Sequence, residues 1–127
     1  MDITRIVYKK EEVMTKHYGH YETHFADGIL SVRLKGEIDH HSAVSIRTAL
    51  DEEIARLCPR KTVLDLSAIE FMDSSGLGLI MGRYSLMQKL GGILTLKNPN
   101  ERIVKIFELA GLGRMIRIET DREEEEA

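Results

Sequence analysis

From Tyr21 onward, side chains that can be buried alternate with polar ones. Tyr21, Thr23 and Phe25 are interleaved with Glu22 and His24, the period of a strand with one covered face. Leu30, Val32 and Leu34 repeat that alternation after Asp27-Gly28. An Asp-Gly pair accepts the positive φ angles of a tight type I′ turn, so the two runs predict a β-hairpin whose first strand is an antiparallel edge. The period then lengthens. Ala43, Ile46, Leu50, Ile54 and Leu57 recur at steps of three and four, which predicts a helix, and Pro59 lies just past its end. Thr62 to Leu66 is a nearly continuous apolar run, as expected of a strand covered on both faces. A second helix is predicted from near Ser74 to about Leu90, stopped by Gly91-Gly92, and Ile93 to Leu96 forms another buried strand. A third helix follows Pro99, with Ile103, Ile106, Phe107 and Ala110 as its core stripe and Gly111 as its C-cap. Met115 to Ile118 fits either a last short strand or a helix entry.

This order is hairpin first, then helix and strand in alternation. Alternation implies right-handed parallel crossovers and therefore an α/β domain. The expected sheet is mixed and mostly parallel, with four to five strands, an N-terminal β-hairpin and three to four helices. Residues 1–18 form an N-terminal arm or an extra strand, with Ile3, Ile6 and Val7 compatible with both. Residues 19–120 make the domain, and 121–127 an acidic, disordered tail.

Composition narrows the setting. A chain of 127 residues with 43% apolar side chains suits one domain with a real core. A net charge of −3 gives no footprint for nucleic acid, and no polybasic segment suggests an anionic membrane surface. No apolar run approaches the roughly 20 residues of a membrane span. The N-terminus lacks the apolar core of a signal peptide. A single cysteine, Cys58, cannot form an internal disulfide, which suits a reducing compartment; a cytoplasmic location is expected.

The chemistry lies in Phe71-Met72-Asp73-Ser74-Ser75-Gly76-Leu77-Gly78, at the opening of the second helix. Ser and Asp there have an immediate structural use, since a side-chain oxygen at the N-cap accepts a bond from an orphan backbone N–H. A second use is compatible with the first. One serine can cap while the other faces solvent, and a phosphate added at that point meets the positive end of the helix dipole. The helix that follows has an apolar face, Leu77, Ile80, Tyr84 and Met87, and a second, largely apolar one, Leu79, Arg83, Leu86 and Leu90. A helix covering a sheet needs only one such face. Leu77 and Leu79, next to the serines, are candidates for a partner surface, with burial under neighbouring helices as the alternative.

Phe71–Tyr84, FMDSSGLGLIMGRY, resembles the signature of the STAS-domain anti-sigma factor antagonists, and most closely their sporulation group, which acts on anti-sigma-F factors. Gly36–Ala43, GEIDHHSA, is similar to the second block of that group, and Met115–Glu119, MIRIE, to its C-terminal end. The resemblance covers about residues 20–120 and implies a STAS-like fold. It implies a protein that, unphosphorylated, binds an anti-sigma factor with serine kinase activity and thereby frees a sigma factor. Phosphorylation switches it off and a serine phosphatase restores it. By the same resemblance the phosphoacceptor is Ser75, with Asp73, Ser74 and Gly76 around it, Ser74 in a capping or positioning role, and Asp39 at the partner surface. The resemblance implies no catalysis and no cofactor. A partner-switching route of the general stress response is the neighbouring alternative, and a small serine hydrolase the distant one.

Other constellations are weaker. Gly76, Gly78 and Gly82 spell a dinucleotide-like pattern, but a strand ending near Leu66 leaves them too far from the strand. A nucleophile elbow needs Gly where Asp73 stands, and all five histidines precede Ser75. His17, His20 and His24 carry helical spacing in a segment that reads as turn and strand, so no metal site is expected. Glu52 and Glu53 are expected on the solvated face of their helix.

Overall fold

The computed structural model describes residues 14–17 and 20–121. The expectations for Ile3, Ile6, Val7 and the tail beyond Asp121 lie outside the described residues.

Among the described residues six strands form one sheet in sequence order: β1 (Met14–His17), β2 (Tyr21–Ala26), β3 (Ile29–Ile38), β4 (Lys61–Met72), β5 (Ile93–Lys97) and β6 (Arg117–Glu119). β1, β2 and β3 are antiparallel neighbours, whereas β3 to β6 run parallel. The mixed, mostly parallel α/β reading therefore stands, with two additions. Met115–Ile118 resolves into two residues that lead in and the first two residues of the short strand β6. β2 is not the edge, because residues 14–17 pair along it from Met14 opposite Phe25 to His17 opposite Glu22. The hairpin between β2 and β3 turns at Asp27 (φ 54°) and Gly28 (φ 76°), the two positive angles of a type I′ turn.

Among the described residues the α-helices are α1 (His40–Leu57), α2 (Ser74–Lys89) and α3 (Glu101–Ala110). Leu30, Val32 and Leu34 of β3 and Leu64 and Leu66 of β4 are fully buried, and Ile46, Leu50 and Ile54 of α1 and Ile80 and Met87 of α2 join the same core. α3 caps its own start with Asn100, whose side-chain oxygen accepts the Ile103 N–H at 2.9 Å. The amide end of Asn100 donates to the carbonyls of Ile69 and Glu70, at 3.1 and 3.3 Å. Those carbonyls lie where the β3–β4 register slips, so one side chain both caps a helix and satisfies an irregular strand.

The β4 strand is more than twice as long as its apolar run suggests. It continues through Ser67, Ala68 and Glu70 to Met72 because the register shifts between Arg33 and Lys35 and between Gly36 and Glu37 restore inward-facing positions at Ile69 and Met72. The ground given above for setting aside a dinucleotide site, a strand ending near Leu66, is thus removed. What stands in its place is that Gly76, Gly78 and Gly82 all lie inside α2, not in the turn before it.

α2 packs on α1 as well as on the sheet, which explains its two apolar faces. Leu79 and Arg83 are buried with only 3% and 5% exposure. Arg83 Nε lies 2.8 Å from Asp51 Oδ1 on α1, and its Nη2 donates to Oδ2 at 3.4 Å. Burial pushes the Arg83 guanidinium below its ordinary pKa, and Asp51 opposes that shift. Glu53 corrects the expectation of a solvated face: it is 8% exposed and pairs with Arg56 one turn on. Glu52 is exposed as expected.

The Arg83–Asp51 pair generates an ordering of stabilities. Removing the carboxylate strands a buried cation, whereas replacing the cation by an apolar chain of similar length removes the need for it. Asp51→Ala is expected to cost about 2 kcal/mol, and Arg83→Met less than about 1 kcal/mol, since Asp51 remains partly solvated. Urea unfolding monitored by circular dichroism checks the order.

Candidate functional site

Two strand ends and two helix starts create the site. Ile38 pairs with Met72 at the carboxyl ends of the parallel strands β3 and β4. The next residue on each chain, Asp39 and Asp73, is the N-cap of the next helix. The Asp73 N–H donates to the Ile38 carbonyl at 3.2 Å, which holds the two caps side by side. The carboxyl edge of parallel strands is where α/β folds place their working surfaces, because helix N-termini and loops converge there.

At the first cap, Asp39 Oδ1 accepts the Ser42 N–H at 2.9 Å while Ser42 Oγ accepts the Asp39 N–H at 3.0 Å, a reciprocal capping box. Ser42 Oγ also lies 3.2 Å from the Glu37 carbonyl. The bond from the Ser42 backbone is the main cause that lowers the Asp39 pKa, with smaller help from the Ser42 hydroxyl and from His41.

At the second cap, the aspartate does the work expected of a serine. Asp73 Oδ1 accepts the Ser75 N–H at 2.7 Å, and the Gly76 N–H donates to the Asp73 carbonyl at 3.0 Å. Neither serine is the cap: Asp73 is extended in backbone and fits that position, whereas Ser74 and Ser75 are already helical. Ser74 is exposed and Ser75 half-buried. Gly76 is buried against the strand end, where an added Cβ would meet Met72 Sδ at 2.8 Å and Met72 Cβ at 2.9 Å. A glycine here is what lets α2 start directly on top of β4.

The sequence-selected residues separate into two places. Ser75 and Leu79 line a groove of about 250 Å³ between α1 and α2, together with His40, Ala43, Val44, Arg47 and Gly78. Asp39 lines a different hollow of about 540 Å³, with His20, Lys35, Gly36, Glu37, His41, Ser42 and Ser45. Leu79 does not offer a free surface, because α1 covers it and leaves 3% exposed; the expectation of an exposed Leu79 is corrected on that ground. Leu77 is half-buried against the core. His40, Val44 and Arg47 were missed as groove residues. Their spacing of four and three marks one helix face beside the Ala43–Ile46–Leu50 core stripe, and Val44 is an apolar residue off that stripe with 43% exposure. Among the described residues no group of three or more His, Cys, Asp or Glu side chains is placed to hold a metal ion.

The model of the STAS domain family matches residues 20–127. The chain belongs to the STAS family. It is 41% identical over 91 residues to the anti-sigma F factor antagonist of Paenibacillus polymyxa, covering 72% of this chain and 78% of that one. It is 35% identical over 99 residues to the anti-sigma-B factor antagonist of Bacillus subtilis, covering 74% and 84%. Among solved structures, the anti-sigma factor antagonist SpoIIAA in its unphosphorylated form superposes with a TM-score of 0.66 at 28% identity, over 88% of this chain and 91% of that one. The phosphorylated form of the Bacillus cell fate determinant SpoIIAA superposes with a TM-score of 0.61 at 27% identity, over 91% and 97%. This STAS domain thus shares its fold with a relative solved with and without a phosphoryl group.

The Asp39 cap predicts a specific pH dependence. Its folded-state pKa is lowered, so its stabilisation is present above the ordinary carboxylate range and is lost as pH falls through the folded value. Asn caps as well as Asp but does not titrate there. Asp39→Asn is expected to retain the fold at neutral pH and to flatten the decline in stability below about pH 4, measured by urea midpoints across that range.

Proposed function

We propose that this STAS domain is an anti-sigma factor antagonist switched by phosphorylation of Ser75. Unphosphorylated, it binds an anti-sigma factor that is also a serine kinase and so releases a sigma factor; a serine phosphatase reverses the modification. The observation that carries the reading is the position of Ser75 in the first turn of α2, at a groove shared with α1, in a chain 41% identical to a named anti-sigma F factor antagonist.

The geometry supports a change of surface with little change of fold. Ser75 is half-buried, not part of the core, and its backbone N–H is already satisfied by Asp73. A phosphate adds about −1.5 to −2 charges beside a helix N-terminus, which favours negative charge. A partner seated on this edge meets the added charge and bulk directly. Val44 on α1 and Phe71 at the end of β4 are 43% and 45% exposed at the same edge, and with Leu77 and Asp39 they supply the apolar and acidic parts of the proposed docking surface. Opposing charge and bulk worth about 3 kcal/mol weaken such a complex roughly a hundredfold. The protein acts by binding and not by turnover, and its place is the cytoplasm, where its kinase and phosphatase meet it. Among the described residues no helix is long and apolar enough to cross a membrane.

A general stress route, through an anti-sigma-B kind of partner, is the second reading, favoured by the 35% identity to the Bacillus subtilis antagonist. The greater identity to an anti-sigma F antagonist favours the first.

The test uses the anti-sigma kinase of the same cell, ATP and intact-mass measurement. The chain and Ser74→Ala are expected to gain one phosphoryl group, and Ser75→Ala none. A phosphoryl group retained in Ser75→Ala, or none gained from a kinase that modifies its own established antagonist, contradicts the assignment.

A further inference from the structure

We infer that Arg47 on α1 forms an ion pair with the phosphate carried by phosphorylated Ser75 of the same molecule, so that modification links α1 to α2 across their groove. The inference rests on Ser75 being the phosphoacceptor. Ser75 and Arg47 line one groove of about 250 Å³, and Gly78, which also lines it, has no heavy atom within 4 Å of where a Cβ would stand. The wall of α2 beside Arg47 therefore carries no side chain at that position.

Charge explains why Arg47 is available. Asp51 is one turn further along α1, but its carboxylate faces the buried Arg83 of α2. Arg47 is exposed and makes no ion pair with Asp51, and its positive charge acts unfavourably on Arg83, pushing that guanidinium further down. Arg47 and His40 line the groove, the Arg83–Asp51 pair bridges the two helices, and Asp73 caps the start of α2. Asp73 repels a phosphate from the α2 side. Arg47 supplies the compensating cation from the α1 side, and a guanidinium binds two phosphate oxygens through a planar fork. An added dianion consequently relieves the Arg47–Arg83 repulsion, and Arg47 counters the repulsion that the dianion meets from Asp73.

The experiment encodes phosphoserine at position 75 during translation, so no kinase is needed and failure of the kinase assignment is a separate result. The titration of the phosphate is followed by ³¹P NMR in the otherwise native chain, in Arg47→Gln, in Arg47→Lys and in His40→Gln. The second phosphate pKa is expected to rise by about half a unit or more in Arg47→Gln, roughly a threefold gain in proton affinity. Arg47→Lys is expected to restore part of the native value, and His40→Gln to leave most of the difference in place. The field of α2 and of Asp73 is common to all four proteins, so the difference isolates Arg47. Equal titration curves for the native chain and Arg47→Gln, with circular dichroism showing both folded, overturn the inference.

Discussion

Ile38 beside Met72, with the Asp73 N–H bonded to the Ile38 carbonyl at 3.2 Å, is the contact from which the working edge of this domain follows. Both side chains are fully buried, so the two strands must end in register within the core. Each strand is followed at once by an aspartate that caps a helix. The two helices then rise from neighbouring points and pack on each other, and the groove between them is a consequence of that shared origin. The bulges between β3 and β4 serve the same end. The first extra residue on β4 turns Ile69 to the inner face, and the second returns Met72 to it.

The edge is preorganised by the backbone more than by long side chains. The capping box at Asp39 and the Asx bond at Asp73 use short acidic groups to fix the first turns of α1 and α2. Gly76 admits the strand end under α2, and Asn100 holds the irregular part of β4 from the third helix. A surface fixed in this way can be altered by a single added charge without remodelling the core. That is the physical basis for reading this STAS domain as a switch that changes what it binds and not how it folds.

Much of this was legible in the sequence. The Asp27-Gly28 turn, the amphipathic stripe of α1, the Gly111 cap with φ 71° and the helix start at Ser74 all follow from local rules. The full length of β4 was hidden because Ser67, Ala68 and Glu70 interrupt its apolar run, and the bulges that absorb them depend on pairing with β3. Leu79 is misplaced for a related reason. Helix periodicity gives the face toward the sheet, but the face between α1 and α2 depends on how two helices cross, which no single segment encodes. The cap at Asp73 was within reach, since aspartate ranks with serine as an N-cap; a side chain one residue earlier than the serines took the role. The spacing of His40, Val44 and Arg47 marks a helix face, but what that face meets is set by Ser75, 28 residues further along the chain (75 − 47).

The most direct test of the account is the affinity of the anti-sigma kinase for this chain with and without phosphoserine at position 75, by calorimetry in one buffer. The account predicts a loss of roughly a hundredfold or more on phosphorylation, with the folded state of the modified chain retained. Equal affinities for the two forms, or a loss that coincides with unfolding of the modified chain, would contradict it.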